Sequence, residues 1–324
     1  GRDVNGLSYI DANLPGSQTT FSGADNRPRW TDNRINDNVT GAFVLGNQSV
    51  GRNWNIGGSI ERSFDNGFYV KAAYNYGESK NTIDPGSIAS GSWQNNPIAG
   101  DPNNPILGFS ANSPGHRFFA ALSWKRDWFS FGGTGIAVFF EGVTQGNASF
   151  TVNGDVNGDG GRNNDLIYVP KDQSEMHFTQ YTSGTTTFTP GEQAAAFDAY
   201  ISQDKYLSTR RGEYAERNAA FAPMVWRADL SLTQDLFTKV AGRINKLQIR
   251  LDILNFTNLL KSSWGVGDRF ITAQVLTNPG INADGEPTYR LYSRSGKLID
   301  QTFEKTSGFS DVYRMQLGLR YLFN

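Results

Sequence analysis

The 324-residue chain contains no cysteine, only two histidines and no apolar run long enough to form a membrane-spanning helix. Each absence closes a class. Without cysteine there are neither disulfides nor thiolate metal sites. His116 and His177 fall in no zinc spacing and no hydrolase triad, so His116 with a loop aspartate is all that an outer-membrane hydrolase could be built on, and no enzyme is expected. Positive charge is not in excess either: 30 basic and 31 acidic residues, with no basic run, leave out the electrostatic footprint of a nucleic-acid binder. Gly1 opens the chain without a signal-peptide pattern, so the expectation is a processed chain or a fragment. A membrane stays open as a partner, because closed β-barrels satisfy their backbone in lipid without any apolar helix.

Glycine (36), phenylalanine (22), tyrosine (13) and tryptophan (7) are plentiful, a mixture suited to strands and turns. In NWNIGGSIERS, Trp54, Ile56, Gly58 and Ile60 share one face, while Asn53, Asn55, Ser59 and Glu61 share the other. After the turn Asp65-Asn66-Gly67, FYVKAAYNYGES sets Phe68, Val70, Ala72, Tyr74 and Tyr76 opposite Lys71, Asn75 and Ser79, which predicts a hairpin. Five further alternating segments follow at 117–125, 134–144, 225–233, 246–255 and 313–323. Each is near the 9–11 residues or so that a tilted strand needs to cross a bilayer. None of the 22 mid-strand positions on the apolar faces is charged, where a 19% charged chain would place about four.

The opposite faces carry Glu61, Lys71, Arg117, Lys125, Glu141, Arg227, Asp229, Arg250, Asp252, Arg314 and Arg320. A lipid-facing Arg or Lys at the bilayer midplane costs about 2–4 kcal/mol, whereas a watery lumen tolerates it, so the charged face predicts a lumen. A soluble sandwich also alternates, but the connections separate the two. They run short at 64–67, 126–133 and 234–245, and long at 80–116, 145–224 and 256–312. That is the pattern of outer-membrane barrels, with short periplasmic turns and long outer loops. Trp54, Tyr76, Trp124, Trp226, Tyr321 and Phe323 lie near strand ends, where aromatic girdles sit, and Trp128 and Phe129 fall in a short turn. The expected fold is all-β: a transmembrane antiparallel β-barrel with long extracellular loops. Residues 51–324 supply its strands, and residues 1–50 form an outer loop with its own hairpin. GAFVLGNQS could be an eighth strand, giving seven or eight in all, but strand direction argues against it.

The chain ends RMQLGLRYLFN, with Met315, Leu317, Leu319, Tyr321 and Phe323 on one face. Gln316, Gly318, Tyr321 and Phe323 resemble the C-terminal assembly signal of bacterial outer-membrane proteins, which implies the barrel assembly machinery as a partner. Asn324 is a departure, and an ordinary amphipathic edge strand has similar spacing. More widely, NGLSYIDANLPG, ADNRPRWTDNRI, NGFYVKAAYNYGESK, DVNGDGGRNNDLIYVP, RRGEYAERNAAFAP and LDILNFTNLL resemble the C-terminal part of the barrel of TonB-dependent outer-membrane transporters, Oar-like branch. The resemblance implies a 22-stranded barrel in the outer membrane of a Gram-negative bacterium. It also implies a plug and a TonB-contacting segment, neither of which is in this sequence, and transport of an unidentified ligand driven from the inner membrane. Seven strands leave two unpaired edges, which lipid does not permit, so the chain is expected to be part of a longer barrel. A self-contained small barrel and a soluble β-rich adhesion domain are the competing expectations.

Between Asp155 and Pro170 the sequence reads DVNGDGGRNNDLIYVP. Asp155, Asn157 and Asp159 followed by Gly160 copy positions 1, 3, 5 and 6 of a calcium loop, in which alternating oxygens converge on one hard cation. A carbonyl at Gly161 and the side chains of Asn163 and Asp165 complete a candidate calcium set. Position 12 is Leu166 instead of glutamate, and the competing reading is a turn held by its own Asx hydrogen bonds. In the same loop, Thr189, Pro190 and Glu192 predict a capped helix reaching to Leu207, with Phe197, Tyr200 and Ile201 as its apolar stripe. RRGEYAERNAAF is open to two readings, an ion-paired rim or a substrate contact.

Overall fold

The computed structural model describes residues 7–32, 34–128, 131–240 and 243–323. Phe129 and Asn324 lie outside them. Seven long strands form one antiparallel sheet in chain order: β1 (Arg52–Ser63), β2 (Phe68–Asn81), β3 (Gly115–Trp128), β4 (Gly132–Thr144), β5 (Met224–Val240), β6 (Arg243–Leu254) and β7 (Arg314–Leu322). These are the seven expected segments, most of them longer than the alternation alone indicates. β5 extends furthest, pairing with β6 out to Val240↔Arg243, and within this extension Lys125 (3.7 Å) and Lys246 (2.5 Å) neutralise Asp235 on the polar face. Among the described residues the sheet stays open, with β1 and β7 as edges, and no helix is long and apolar enough to cross a membrane.

Register joins the strand faces into one surface. Val70 pairs with Leu122, Leu122 with Val138, Val138 with Leu230, Leu230 with Ile253 and Ile253 with Met315. One step along, Trp124, Ile136, Leu232, Leu251 and Leu317 form a parallel row. A slip of one residue at any pairing would break both rows, since side chains alternate with period two. Most of this face is uncovered, with Ile60 73% exposed, Leu317 71% and Leu319 72%, while Ala228 and Ile253 are buried. Aromatic clusters border it. Trp54, Tyr76 and His116 meet at the long-loop end, with Phe140 stacked on Trp226 nearby, while Phe68, Trp124 and Trp128 meet at the short-turn end. Eight residues of β2 separate Phe68 from Tyr76. At ~3.3 Å per residue that is about 26 Å along the strand, close to the ~25 Å apolar band of outer-membrane barrels before tilt is allowed for.

The opposite face is mostly polar and ion-paired, with Lys71–Glu61 at 2.9 Å, Arg117–Glu141 at 2.9 Å and Arg250–Asp252 at 2.8 Å, and with the stacked rings of Phe119 and Phe139 among them.

The hydrophobic core lies outside the sheet. Phe150, Val152, Ile167, Val169, Phe197, Tyr200, Ile201 and Leu207 from the loop between β4 and β5 pack with Val275, Leu276, Leu291 and Ile299 from the loop between β6 and β7, and with Phe21. A second cluster holds Tyr9, Leu14, Trp30, Ile83 and Trp93. Leu7–Asp11 pairs with Phe43–Asn47 as a separate hairpin, so the segment before β1 adds no strand to the sheet. Three helices belong to the loops: α1 (Ala89–Gln94), α2 (Pro190–Gln203) and α3 (Phe256–Leu260). α2 starts where the sequence places it, with the capping box between Thr189 and Glu192 formed. It ends at Gln203 because Asp204 leaves the helical conformation, and a separate 3-10 turn takes Leu207–Thr209. Phe197, Tyr200 and Ile201 are all buried against the loop core.

Candidate metal centre

Between β4 and β5 the chain makes only two- and three-residue strands. Asn147–Ala148 pairs with Ala220–Phe221, and Val152–Asn153 runs parallel to Leu276–Ile281. These pairings anchor the segment 155–165, whose neck is closed by Val152 N donating to the Asp165 carbonyl (2.8 Å) and Asn163 N donating to the Gly154 carbonyl (2.9 Å). Inside it, each acidic or amide side chain caps the backbone ahead of it. Asp155 accepts from Gly158 N (2.7 Å) and Gly160 N (3.0 Å), Asn157 from Asp159 N (2.9 Å), and Asp159 from Gly161 N (2.6 Å). Gly158 is required twice: its φ is +79°, and a Cβ there would collide with the Trp30 carbonyl.

Asp155, Asn157 and Asp159 therefore lie in one turn, with Asn157 Nδ2 3.2 Å from Asp159 Oδ2. Burial pushes the Asp159 carboxyl up to about 6, and the charge of Asp155 adds to the shift; burial raises Asp155 as well. The second half of the expected set is placed differently. Gly161 meets Asp159 through its N–H. Asn163 has a φ of +68° and turns its side chain back to accept from Gly154 N (3.0 Å). Asp165 accepts from Val156 N (2.7 Å) and faces Arg27 Nη1 at 3.4 Å, so both its oxygens serve the neck.

Asn164 occupies the position that spacing gives to Asn163. It is 1% exposed, its Nδ2 stands 3.4 Å from Asp159 Oδ2, and its Oδ1 is buried without a hydrogen-bond partner. The left-handed residue before it rotates it inward, which a count of alternating positions does not show. Among the described residues no three His, Asp or Glu side chains form a metal-holding group. A cation here would be held by two carboxylates with amide, main-chain and water oxygens.

The loop is clasped from behind by the segment before β1. Trp30 N donates to the Asn157 carbonyl (2.8 Å). Arg27, fully buried, donates to Asp25 through Nε (3.0 Å) and Nη2 (2.9 Å), and to the Leu166 carbonyl (2.9 Å). Asp25 also accepts from Tyr214 Oη (2.9 Å) and Tyr289 Oη (3.2 Å). Burial pulls the Arg27 guanidinium down, but Asp25, Tyr289 and Asp165 together outweigh it and hold it charged. For Asp165 burial wins over Arg27, which is committed first to Asp25, and its carboxyl is raised.

RRGEYAERNAAF is ion-paired within the chain: Arg210 with Glu213 (2.8 Å) and Glu216 (3.3 Å), Arg211 with Asp198 (2.7 Å), and Arg217 with Asp84 (3.2 Å). Arg210, Glu213, Tyr214, Glu216 and Arg217 also line a cleft of about 560 Å³, so the segment is both an ion-paired rim and the wall of a cavity. His116 Nδ1 lies 2.6 Å from Tyr74 Oη between two tyrosine rings, and His177 lies 3.3 Å from Glu286. Neither is set against an aspartate. No protein-family model, curated protein or solved structure matches the chain.

Proposed function

We propose that this chain is wall and outer-loop domain of a transmembrane β-barrel in a bacterial outer membrane, and that the barrel is that of a TonB-dependent transporter of the Oar-like branch. One observation carries the membrane reading. Seven strands expose a single apolar face in continuous register, while the hydrophobic core is built from loops at one end of the sheet. A soluble adhesion domain would bury that face, since water penalises contiguous apolar patches of this extent. Lipid solvates it.

A self-contained barrel of these strands is disfavoured by count. Seven antiparallel strands make β1 parallel to β7, so closing the sheet on itself needs one parallel pair, whereas bacterial barrels close with an even, all-antiparallel number. Both edges therefore call for further strands, and Gln316, Gly318, Tyr321 and Phe323 on β7 fit recognition by the barrel assembly machinery. The polar face, with its ion pairs, then lines the lumen beneath the loop domain. Energy coupling and ligand transport rest on the sequence resemblance.

Because the chain lacks cysteine, single substitutions report cleanly. Leu122→Cys, Val138→Cys and Leu251→Cys, each carrying a fluorophore, should be quenched by spin-labelled acyl chains. Ser123→Cys, Ala137→Cys and Asp252→Cys, on the other face, should not. Equal quenching on both faces, or none, sinks the membrane reading. In cells expressing the whole reading frame, labelling of Ser231→Cys by an impermeant maleimide should change when a protonophore is added. An unchanged rate leaves a static barrel.

A further inference from the structure

We infer that segment 155–164 holds a structural calcium ion ligated by Asp155, Asn157, Asp159 and Asn164, with main-chain carbonyls and water completing the shell. Two independent observations meet here. Asp155, Asn157 and Asp159 share one tight turn, in which Asn157 Nδ2 lies 3.2 Å from Asp159 Oδ2, and Asn164, buried against Asp159, has an oxygen with nothing to bond. An orphaned buried amide oxygen costs about 1–3 kcal/mol, so a native loop has reason to supply a partner. A half-turn of the Asn164 amide, which exchanges two groups of nearly equal size, puts its Oδ1 where Nδ2 now stands, 3.4 Å from Asp159 Oδ2, giving up the Nδ2–Asp159 bond and leaving Nδ2 in the place of Oδ1. Two oxygens about 2.4 Å from one cation and at right angles to each other are separated by about that distance.

The chemistry selects the ion. Every donor is a hard oxygen, the residues are spread around a flexible glycine turn, and the set mixes charged with neutral ligands, which suits calcium's loose shell of about six to eight oxygens better than magnesium's strict octahedron. With Leu166, only 2% exposed, where a bidentate glutamate would complete a high-affinity site, affinity belongs in the weak extracellular range, Kd about 10⁻⁴–10⁻³ M. Bound calcium would fix the turn that receives Trp30 and so lock the segment before β1 onto the loop core. The inference is independent of the membrane reading, because the site lies wholly in the loop domain.

The test is terbium luminescence, excited through Trp30, in the full chain held in detergent. The unmutated protein should give a saturable signal displaced by calcium and by excess chelator. Asp159→Asn and Asn164→Leu should each weaken calcium at least tenfold, while Asp172→Asn, an exposed acid of the same loop, should leave it unchanged. Asn164→Asp covers the case in which the leucine variant misfolds: it should tighten calcium and make the metal-free loop more sensitive to protease. Failure of calcium to displace terbium from the unmutated protein overturns the site. So does an Asn164→Asp variant whose protease sensitivity ignores calcium, since the loop is then only an Asx-bonded turn.

Discussion

Arg27→Met should open the loop domain while leaving the seven-stranded sheet paired. Among the described residues Arg27 is the one cation bonded to two buried carboxylates, Asp25 and Asp165, which are 6% and 0% exposed. Removing one partner of a buried ion pair typically costs about 3–5 kcal/mol, because the abandoned charge cannot reach water. That is a large share of the roughly 5–15 kcal/mol that stabilises a domain. The measurement is trypsin cleavage after Arg210 and Arg211, followed alongside amide-exchange protection of β3, β4 and β5. Cleavage should accelerate strongly with strand protection unchanged. The triple variant Asp25→Asn, Arg27→Met, Asp165→Asn should recover part of the loss, since no stranded charge remains. If Arg27→Met resists trypsin like the parent chain, the cluster does not hold the domain together.

Leu230→Arg and Ser231→Arg, adjacent on β5, should have opposite outcomes. Leu230 pairs with Val138 and Ile253 in the middle of the apolar face; Ser231 pairs with Ala137 and Asp252 on the polar one. At the bilayer midplane an arginine on the lipid face costs about 2–4 kcal/mol, so Leu230→Arg should cut the yield of assembled protein in the outer membrane severely. Ser231→Arg gains Asp252 as a neighbour across the strand pair and should assemble normally. Equal tolerance of the two would show that the face does not meet lipid.

How much of this the sequence discloses depends on the range of the interaction. Period-two alternation is local, so the seven strands and both their faces are legible residue by residue; pairing aligns faces chosen strand by strand, as Val138 between Leu122 and Leu230 illustrates. Strand ends are less legible. Gln234 and Asp235 fall in the expected turn until the charge neutralisation of Asp235 by Lys246 on the next strand is seen. The loop core is hardly legible at all, because its short strands are defined by partners far along the chain, as Val152 is by Leu276. In the candidate metal site the first half follows from spacing, and the second does not. A single left-handed residue, Asn163, resets the alternation and exchanges its own role with that of Asn164. Arg27 gives no local signal, since its second carboxylate lies 138 positions away.

Because the loop core draws on Phe21, Phe150 and Ile299 together, it sets an order of events in maturation. The loop between β4 and β5 supplies most of its residues, but Phe21, Val275, Leu276, Leu291 and Ile299 arrive from distant segments, and the entropy of bringing them together falls only once the strands between them are zipped. If the sheet is a barrel wall as proposed, the loop domain should therefore close last, after insertion, its polypeptide crossing the membrane uncollapsed. Pulse-labelled protein should acquire strand protection first and protease-resistant loops afterwards. Simultaneous acquisition would mean that the domain preassembles.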